Sequence, residues 1–379
     1  MGALSVGDVR TGTIPSLLPS QKHYLKVYSQ RSVSWGSAFI RTRTESRGGF
    51  LARDDVWEID LEEDSEVSDG LDSSVLKLIS EQIEQLPPFP LVVNQVLRVI
   101  ESPSCSLVDL SKVILNDPSL TGKILQIINS AYYGFAGKIS TVSHAVSLLG
   151  TKEIKNLALS LPINDSFFSK KKSCRLNQSD LWIHSLSVGA CARAVAERVK
   201  YPLPEEAFIA GLLHDIGKNV LNDVFPDKFD QVLHRTDESG LALVDVEKDM
   251  LTISHDTIGY WLAQHWKLPD SLTTAIQNHH SPLARPAPDD GKGKRLEAII
   301  FLGNMLAKFL SLGFSGDKCI PSVKREVLDH LSLNTAAVVN IAESVQQSIQ
   351  PMLRPFGIEI DLQPMSDEDK MRLKESLKG

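Results

Sequence analysis

The sequence predicts an all-α protein, a multi-helix bundle with an N-terminal helical subdomain that is preceded by a largely disordered tail. Apolar residues recur at helical spacing from Ser74 onward, whereas no segment sustains the period-2 alternation of a half-buried strand. Residues 1–72 show neither pattern clearly. With 379 residues, of which 42% are hydrophobic, the chain is long enough to bury a sizeable core.

The first element, residues 1–72, is predicted to be disordered or weakly ordered. Up to Arg53 it is rich in Ser, Thr, Gly and Arg, and Asp8 and Glu45 are its only acidic residues. Residues 54–72 then carry ten acidic residues and no basic one. Charge runs of this kind are typical of solvated segments. The two halves have opposite charge and could attract each other.

Residues 73–165 are predicted to form the N-terminal helical subdomain. Its first helix has apolar residues on one face and ends where three prolines follow. Ser106 and Asp109 have the spacing of a capping box at a helix start, and Gly150 separates the last two helices. The predicted helices are 74–86, 91–100, 106–117, 118–130, 143–149 and 152–161.

Residues 166–312 are predicted to form a second helical subdomain, and residues 313–379 a C-terminal helical extension. The basic stretch 169–175 is predicted to be a linker or an exposed loop. A proline and two acidic residues open the helix that begins at Pro204 and carries His214 and Asp215 near its end. Further helices are predicted at 178–199, 226–237, 240–249, 254–266, 269–280, 292–312, 322–332, 334–352 and from Ser366.

Charge and cysteine content exclude several classes of function. The formal net charge of −7 makes the chain a poor candidate for nucleic-acid binding, which needs clustered positive charge. The four cysteines are scattered without a CxxC motif, so we expect no disulfide framework and a reducing, cytoplasmic location. No apolar run reaches the length that spans a bilayer.

The most informative motif is Gly-Leu-Leu-His-Asp-Ile-Gly-Lys, residues 211–218. His214 and Asp215 offer an imidazole nitrogen and a carboxylate oxygen from one short stretch of backbone, and divalent metals accept both ligand types. Lys218, one turn further on, could contact a phosphate. The motif therefore predicts a metal site if the chain supplies further ligands.

Further candidate ligands lie on other predicted helices. Seven of the ten histidines fall between His184 and His280, and His255 and His279 are among them. Asp180 precedes His184 by one turn, so it could bind metal itself or orient His184 by a hydrogen bond. A helical bundle can bring such side chains from separate helices to one point.

Each histidine also has a structural interpretation. His184 could be an ordinary core or surface residue, and His255 could lie at the surface in the first turn of a helix. His214 with Asp215 could be a buried, hydrogen-bonded pair with a structural role. His279 and His280 could interact with the dipole at a helix C-terminus. We interpret His265, which precedes Trp266, as structural.

Several segments of the chain, taken together, resemble a known family. They are Leu86-Pro-Pro-Phe-Pro90, Asp117-Pro-Ser-Leu120, Ile127-Ile-Asn-Ser-Ala-Tyr-Tyr-Gly134, 139–150, Trp182-Ile-His-Ser185, 211–218, Trp266-Lys-Leu-Pro269 and Ala275-Ile-Gln-Asn-His-His280. Residues 79–285 resemble the HDOD output domain, the signalling branch of the HD and HD-GYP metal-dependent phosphohydrolases. The predicted bundle is then of HD type.

The resemblance implies a ligand set and its possible chemistry. In HD-GYP relatives, similar positions bind two or three metal ions that activate water against a phosphodiester. The matching positions here are His184, His214, Asp215, His255, His279 and His280.

Asp180 stands where those enzymes often have a glutamate. The chain departs from the enzyme pattern in two ways: Asn304 replaces the late aspartate, and the Gly-Tyr-Pro signature is absent. We therefore expect a bacterial signalling module that acts through contacts with a protein partner and keeps a pocket able to bind Fe, Mn, Zn or Ni. The alternative is a metal-dependent phosphohydrolase acting on a nucleotide or cyclic dinucleotide, in which Lys218 steadies the phosphate.

Overall fold

The structure, a computed structural model, divides into two compact units, Met1–Gly70 and Leu71–Gly379. It describes residues 26–28, 34–35, 38–39, 41–45, 55–58, 73–102, 106–131, 133–135, 138–168, 176–284 and 292–378. The boundaries that the sequence predicts at 165 and 312, inside the second unit, stay a prediction.

The described residues of the first unit form short strands. They are β1 (Lys26–Tyr28), β2 (Ser34–Trp35), β3 (Ala38–Phe39), β4 (Arg41–Glu45) and β5 (Asp55–Glu58). β4 pairs antiparallel with both β1 and β5, and β2 pairs with β3. The sequence analysis predicted none of these strands, because two to five residues are too few to show alternation. The remainder of the predicted disordered tail lies outside the described residues.

The described residues of the second unit form helices and no strand, which confirms the all-α prediction. The helices are α1 (Ser73–Gln85), α2 (Leu91–Glu101), α3 (Leu107–Leu115), α4 (Pro118–Ile128), α5 (Val142–Ile163), α6 (Gln178–Arg198), α7 (Pro204–Leu213), α8 (Gly217–Val224), α9 (Pro226–Ser239), α10 (Leu243–Leu251), α11 (His255–His265), α12 (Asp270–Asn278), α13 (Lys292–Phe309), α14 (Arg325–His330), α15 (Thr335–Ser348), α16 (Gln350–Leu353) and α17 (Asp367–Ser376). A π-helical turn, Asn164–Phe168, extends α5, and a 3₁₀ turn, Arg354–Phe356, follows α16.

Local sequence signals account for the ends of several helices. Ser106 and Asp109 form the predicted capping box at the start of α3, with each side chain bonded to the backbone of the other residue. Gly150 interrupts α5 with φ 79° and ψ 166°, so this element is two helices, as the sequence predicts. The linker predicted at 169–175 lies outside the described residues.

Among the α-helices of the second unit, the sequence analysis missed α8. It has only eight residues and begins at Gly217, a poor helix former. Its first residues are held by tertiary packing instead, because Gly217 lies directly against the backbone of α11 at His255 and Gly259. This packing fixes the position of Lys218 beside the candidate ligands.

The core of the second unit is organised around α6. This helix is buried along most of its length and packs against α7, α13 and α15. Aromatic contacts join the N-terminal helices to the later helices of this unit. The ring centroid of Trp266 lies 5.5 Å from that of Phe89 and 4.6 Å from that of Phe167. The indole of Trp266 also donates a hydrogen bond to the carbonyl of Pro87. Within the described residues, none of the helices combines the length and the apolar character needed to cross a membrane.

Candidate metal centre

The candidate ligands come from separate parts of the helical unit. His184 lies within α6, and His214 and Asp215 lie in the turn between α7 and α8. His255 is the first residue of α11, and His279 and His280 follow the end of α12 directly. All are buried except His280, which is half-buried, so the interpretation of His255 as a surface residue is wrong.

Close packing at glycines lets these backbones approach one another. A Cβ atom on Gly211 would lie 2.6 Å from the Cα atom of Gly189, so α6 and α7 cross with almost no space between them. A Cβ atom on Gly217 would lie 2.1 Å from the carbonyl oxygen of His255. These two contacts bring His184 and His255 close to the His214-Asp215 turn.

Asp215 is the centre of the cluster because its two carboxylate oxygens face different histidines. Oδ1 lies 3.2 Å from Nε2 of His255 and 3.6 Å from Nε2 of His279. Oδ2 lies 3.3 Å from Nε2 of His214 and 3.8 Å from Nε2 of His184. One carboxylate is thus shared by two candidate subsites.

The ligand atoms of each subsite lie within 4.8 Å of one another. We call the first subsite A, formed by Asp215, His255, His279 and His280, and the second subsite B, formed by His184, His214 and Asp215. Nitrogen and carboxylate ligands in these numbers suit divalent transition metals such as zinc.

The hydrogen bonds of the imidazoles fit a metal. Nδ1 of His214 donates to the carbonyl of Gly211 at 2.8 Å, and Nδ1 of His279 donates to the carbonyl of Ile276 at 2.6 Å. Both rings therefore direct Nε2 towards Asp215. Nε2 of His184, His214 and His279 is buried without a hydrogen-bond partner, which is costly unless another group such as a metal satisfies it. The residues of both subsites therefore fit a divalent ion.

Electrostatics also favours metal-binding forms of the histidines in subsites A and B. Burial, reinforced by neighbouring His214, holds the pKa of His184 and of His279 well below the usual range. Burial alone would raise the pKa of Asp215, but His214 and the Lys218 ammonium outweigh it and hold that pKa well below its usual range. Neutral imidazoles and an ionised carboxylate are the forms that bind metal.

His255 differs because it is paired with a second buried carboxylate. Oε2 of Glu247 lies 2.6 Å from Nδ1 of His255 and accepts a hydrogen bond from its backbone nitrogen. Burial opposes protonation of His255, yet Glu247 and Asp215 together raise its pKa to about 9. Nε2 of His255 must therefore lose a proton before it can bind a metal in subsite A.

The sequence analysis missed Glu247. Its signal was present, because Glu247 occupies the apolar face of α10 one turn after Leu243, a position where a carboxylate needs a partner.

Lys218 occupies one oxygen of the shared carboxylate. Its Nζ lies 2.6 Å from Oδ2 of Asp215 and donates a second hydrogen bond, at 2.7 Å, to the carbonyl of Ser315. The lysine side chain is 2% exposed. The predicted phosphate contact of Lys218 stays a prediction, and here its ammonium is engaged inside the protein.

Asp180 and His265 belong to neither subsite, and the role predicted for Asn304 at the metal stays a prediction. Asp180 is half-buried on the first turn of α6, and its carbonyl accepts a hydrogen bond from the backbone of Phe314. Asn304 is buried on α13, which packs against α6, and its Oδ1 has no hydrogen-bond partner. His265, interpreted as structural, ends α11 and belongs to neither subsite.

A helical bundle that collects four histidines and a His-Asp pair around one carboxylate defines an HD-type domain. Comparison with known families agrees, because the HDOD domain model matches residues 86–282, about half of the chain. The protein therefore belongs to the HDOD domain family. The matched segment contains His184, Asp215, Lys218 and His280 and ends before Asn304.

Individual relatives agree with this family. An uncharacterized protein of Treponema pallidum (strain Nichols) is 25% identical over 309 residues, which are 78% of this chain and 58% of the relative. This chain thus spans less than two thirds of that relative's length. A crystal structure of an HDOD domain protein of unknown function from Geobacter sulfurreducens matches with a TM-score of 0.55 and 26% identity, over 80% of this chain and 93% of the other.

Two more distant crystal structures share the fold. A proposed signal-transduction protein from Marinobacter aquaeolei VT8 matches with a TM-score of 0.58 and 24% identity, over 77% of this chain and 67% of the other. A proposed phosphohydrolase from Shewanella amazonensis SB2B matches with a TM-score of 0.51 and 19% identity, over 79% and 98%. Both comparisons show that the helical architecture is shared.

Proposed function

We propose that this protein is a cytoplasmic signal-transduction module that acts through contacts with a protein partner, and that its buried cluster binds a divalent metal for structural or sensory purposes. The observation that carries the proposal is burial: His184, His214, Asp215, His255 and His279 are each 0–1% exposed. A metal held there would stabilise the folded domain, because binding to the folded state alone lowers its free energy. The free thiols of Cys191 and Cys319 support the reducing compartment.

Hydrolysis would need two features that this cluster does not offer. The metal centre of a hydrolase keeps an open position for water or substrate, whereas five of the six candidate ligands here are buried and the sixth, His280, is half-buried. A phosphate also needs a cationic partner, whereas the Lys218 ammonium is bonded to Asp215 and to the Ser315 carbonyl. These contacts favour a site that binds a metal without turning over a phosphodiester.

Asn304 also favours a site that does not turn over a phosphodiester. A carboxylate at this position would help to neutralise a metal, whereas an amide carries no charge and is a weaker ligand. Its buried, unpartnered Oδ1 leaves a neutral oxygen on a helix that packs against the helix of His184.

A second candidate function is a metal-dependent phosphohydrolase acting on a nucleotide or cyclic dinucleotide. The sharing of Asp215 by subsites A and B favours it, because two-metal hydrolases often use a bridging carboxylate. In that case metal ions would supply an activated water, and Lys218 would have to leave Asp215 to reach the phosphate.

Metal analysis and a hydrolysis assay separate the two candidates. The full chain, purified without chelators, is analysed for Fe, Mn, Zn and Ni and then assayed on a panel of nucleotides, linear phosphodiesters and cyclic dinucleotides. We expect bound metal and no turnover. His214→Ala should lose the metal, whereas the matched control His234→Ala, at an exposed histidine, should retain it.

Other outcomes would contradict the proposal. Turnover that depends on bound metal and disappears in His214→Ala would establish the hydrolase. Absence of metal from protein incubated with each ion would remove the metal role. Activity gained by Asn304→Asp would show that one missing carboxylate limits an otherwise complete hydrolytic site.

A further inference from the structure

The segment Gly313–Asp317, which we call the strap, follows α13 and lies outside the residues matched by the family model. Its residues Ser315, Gly316 and Asp317 are buried although they belong to a loop. Buried loops need specific partners for their polar groups. The partners of the strap are the elements that support three of the candidate metal ligands.

The first contact is with the helix of His184. Gly313 has φ +75°, and a Cβ atom there would lie 2.3 Å from the backbone nitrogen of His184. The next residue, Phe314, donates a backbone hydrogen bond to the carbonyl of Asp180 at 3.2 Å. The strap thus lies directly against the turn of α6 that carries His184, at a point where only glycine fits.

The second contact joins the strap to Asp215 through one ammonium group. The carbonyl of Ser315 accepts from Nζ of Lys218 at 2.7 Å, and the same Nζ lies 2.6 Å from Oδ2 of Asp215. The hydroxyl of Ser315 is buried without a hydrogen-bond partner. An unsatisfied buried hydroxyl lowers the stability of the strap in this position.

The third contact reaches the helix of Glu247, the partner of His255. Oδ2 of Asp317 accepts from the backbone nitrogen of Leu243 at the start of α10, at 3.3 Å. Oδ1 accepts from Nζ of Lys308 and from the backbone of Cys319. Five consecutive residues therefore support His184, Asp215 and His255 at once.

We propose that the strap and Lys218 form a latch, which is closed while the Lys218 ammonium bridges Asp215 and the Ser315 carbonyl and opens when a divalent ion binds Asp215 beside His184 and His214. The inference rests on the proposed metal-binding function and deepens it, because it converts metal occupancy into a change at the C-terminal side of the domain. The signal would then be passed on by the helices that follow the strap.

Competition for one oxygen drives the latch. Lys218 already uses Oδ2 of Asp215, and a divalent ion in subsite B would place a second cation at the same oxygen, where the two repel. An ammonium that loses its carboxylate is unstable in a buried site, and in the proposed latch it moves out to water rather than losing its proton. Its departure breaks the bond to the Ser315 carbonyl, so the strap loses its attachment to the metal centre.

Hydrogen exchange measured by mass spectrometry on the full chain tests the latch. Protein treated with EDTA is compared with protein saturated with Zn²⁺ or Mn²⁺, with occupancy checked by native mass spectrometry. We expect peptides that contain the strap to exchange severalfold faster with metal bound, whereas peptides around His214 and His279 exchange more slowly. This opposite response is diagnostic because metal binding ordinarily slows exchange.

Variants assign the effect to Lys218. In Lys218→Met the strap should exchange fast without metal, and added metal should change its exchange little. The control variant Lys318→Met, at an exposed lysine beside the strap, should behave as the unaltered protein. If Lys218→Met does not fold, Asp317→Asn replaces it: this variant keeps the lysine, should loosen the strap, and should still respond to metal.

The outcomes distinguish the latch from the function on which it rests. Bound metal with unchanged or slower exchange in the strap overturns the latch and leaves the metal-binding function intact. Equal behaviour of Lys218→Met and Lys318→Met also overturns it. If none of the tested ions binds, both proposals are overturned.

Discussion

The crossing of α6 and α7 gives the sharpest prediction, because two glycines meet there backbone to backbone. In Gly211→Ala the new Cβ atom would lie 2.6 Å from Cα and 2.7 Å from N of Gly189, where ordinary contacts are 3.4–4 Å. Backbone atoms cannot rotate away, so the two helices must separate by about 1 Å. Overpacking of this kind costs about 1–3 kcal/mol.

Thermal unfolding followed by circular dichroism measures this cost. Since the unfolding entropy is about 2.1 cal/mol/K per residue, about 1 kcal/mol shifts the Tm of the unit Leu71–Gly379 by roughly 1.5 °C. We therefore expect Gly211→Ala to lower the Tm by about 2–5 °C. The matched control is Gly122→Ala in the middle of α4, where a Cβ atom meets nothing within 4 Å. That change should raise stability by about 0.5–1 kcal/mol, because alanine is the better helix former.

The same separation should also disturb the metal centre, because His184 and His214 lie on the two sides of this crossing. We expect Gly211→Ala to bind metal more weakly than Gly122→Ala in a competition with a chelator. A Tm for Gly211→Ala equal to or above that of Gly122→Ala would refute the reasoning, since it would mean that the helices are not in contact at these glycines.

Three further predictions concern buried groups. Lys218→Met should lower the free energy of unfolding in urea by about 3–5 kcal/mol, because Asp215 loses its partner. The double variant Asp215→Asn with Lys218→Met should recover much of this loss. Equal stability of the single and the double variant would contradict the pairing. The His255 pKa of about 9 lies above its unfolded value, so its contribution to stability is complete below about pH 6.5 and is lost as pH rises through 9. The free energy of unfolding measured in EDTA should therefore fall between about pH 6.5 and 9. Glu247→Gln should make this pH dependence weaker. Burial raises the pKa of Cys191 to about 12. Its thiol should therefore resist iodoacetamide at pH 8 in the folded chain and react when the chain unfolds. Prompt alkylation of the folded chain, detected by peptide mapping, would show that α6 is not buried.

The helices with clear periodic faces or caps could be predicted from the sequence. The start of α3 at the Ser106 capping box, the break of α5 at Gly150 and the limits of α6 all agree within a residue or two. These features depend on local chemistry, which a sequence displays directly. The sequence also predicted that the histidines of subsites A and B lie together, because their spread over separate helices is visible in it. Their role as metal ligands stays a prediction.

What could not be predicted depends on contacts between distant segments. Helix α8 begins at a glycine and forms because Gly217 fits against α11. The interaction of Ser315 with Lys218 uses a backbone carbonyl, which has no sequence signature at all. Asp317 likewise looks like an ordinary loop acid until its bonds to Lys308 and to the start of α10 are known. The support of three candidate ligands by the strap therefore had no signal in the sequence.

Charge balance stabilises this cluster of buried ionisable groups. The buried carboxylates Asp215 and Glu247 face two buried cations, the Lys218 ammonium and, given its raised pKa, protonated His255. An incoming divalent ion must therefore compete with the ammonium at Oδ2 and with the proton at His255, on opposite sides of Asp215. Lys218 is joined to the strap and Glu247 to the helix that Asp317 caps. Both competitions act on elements held by the strap, so the proposed metal binding would be coupled to the strap from both subsites.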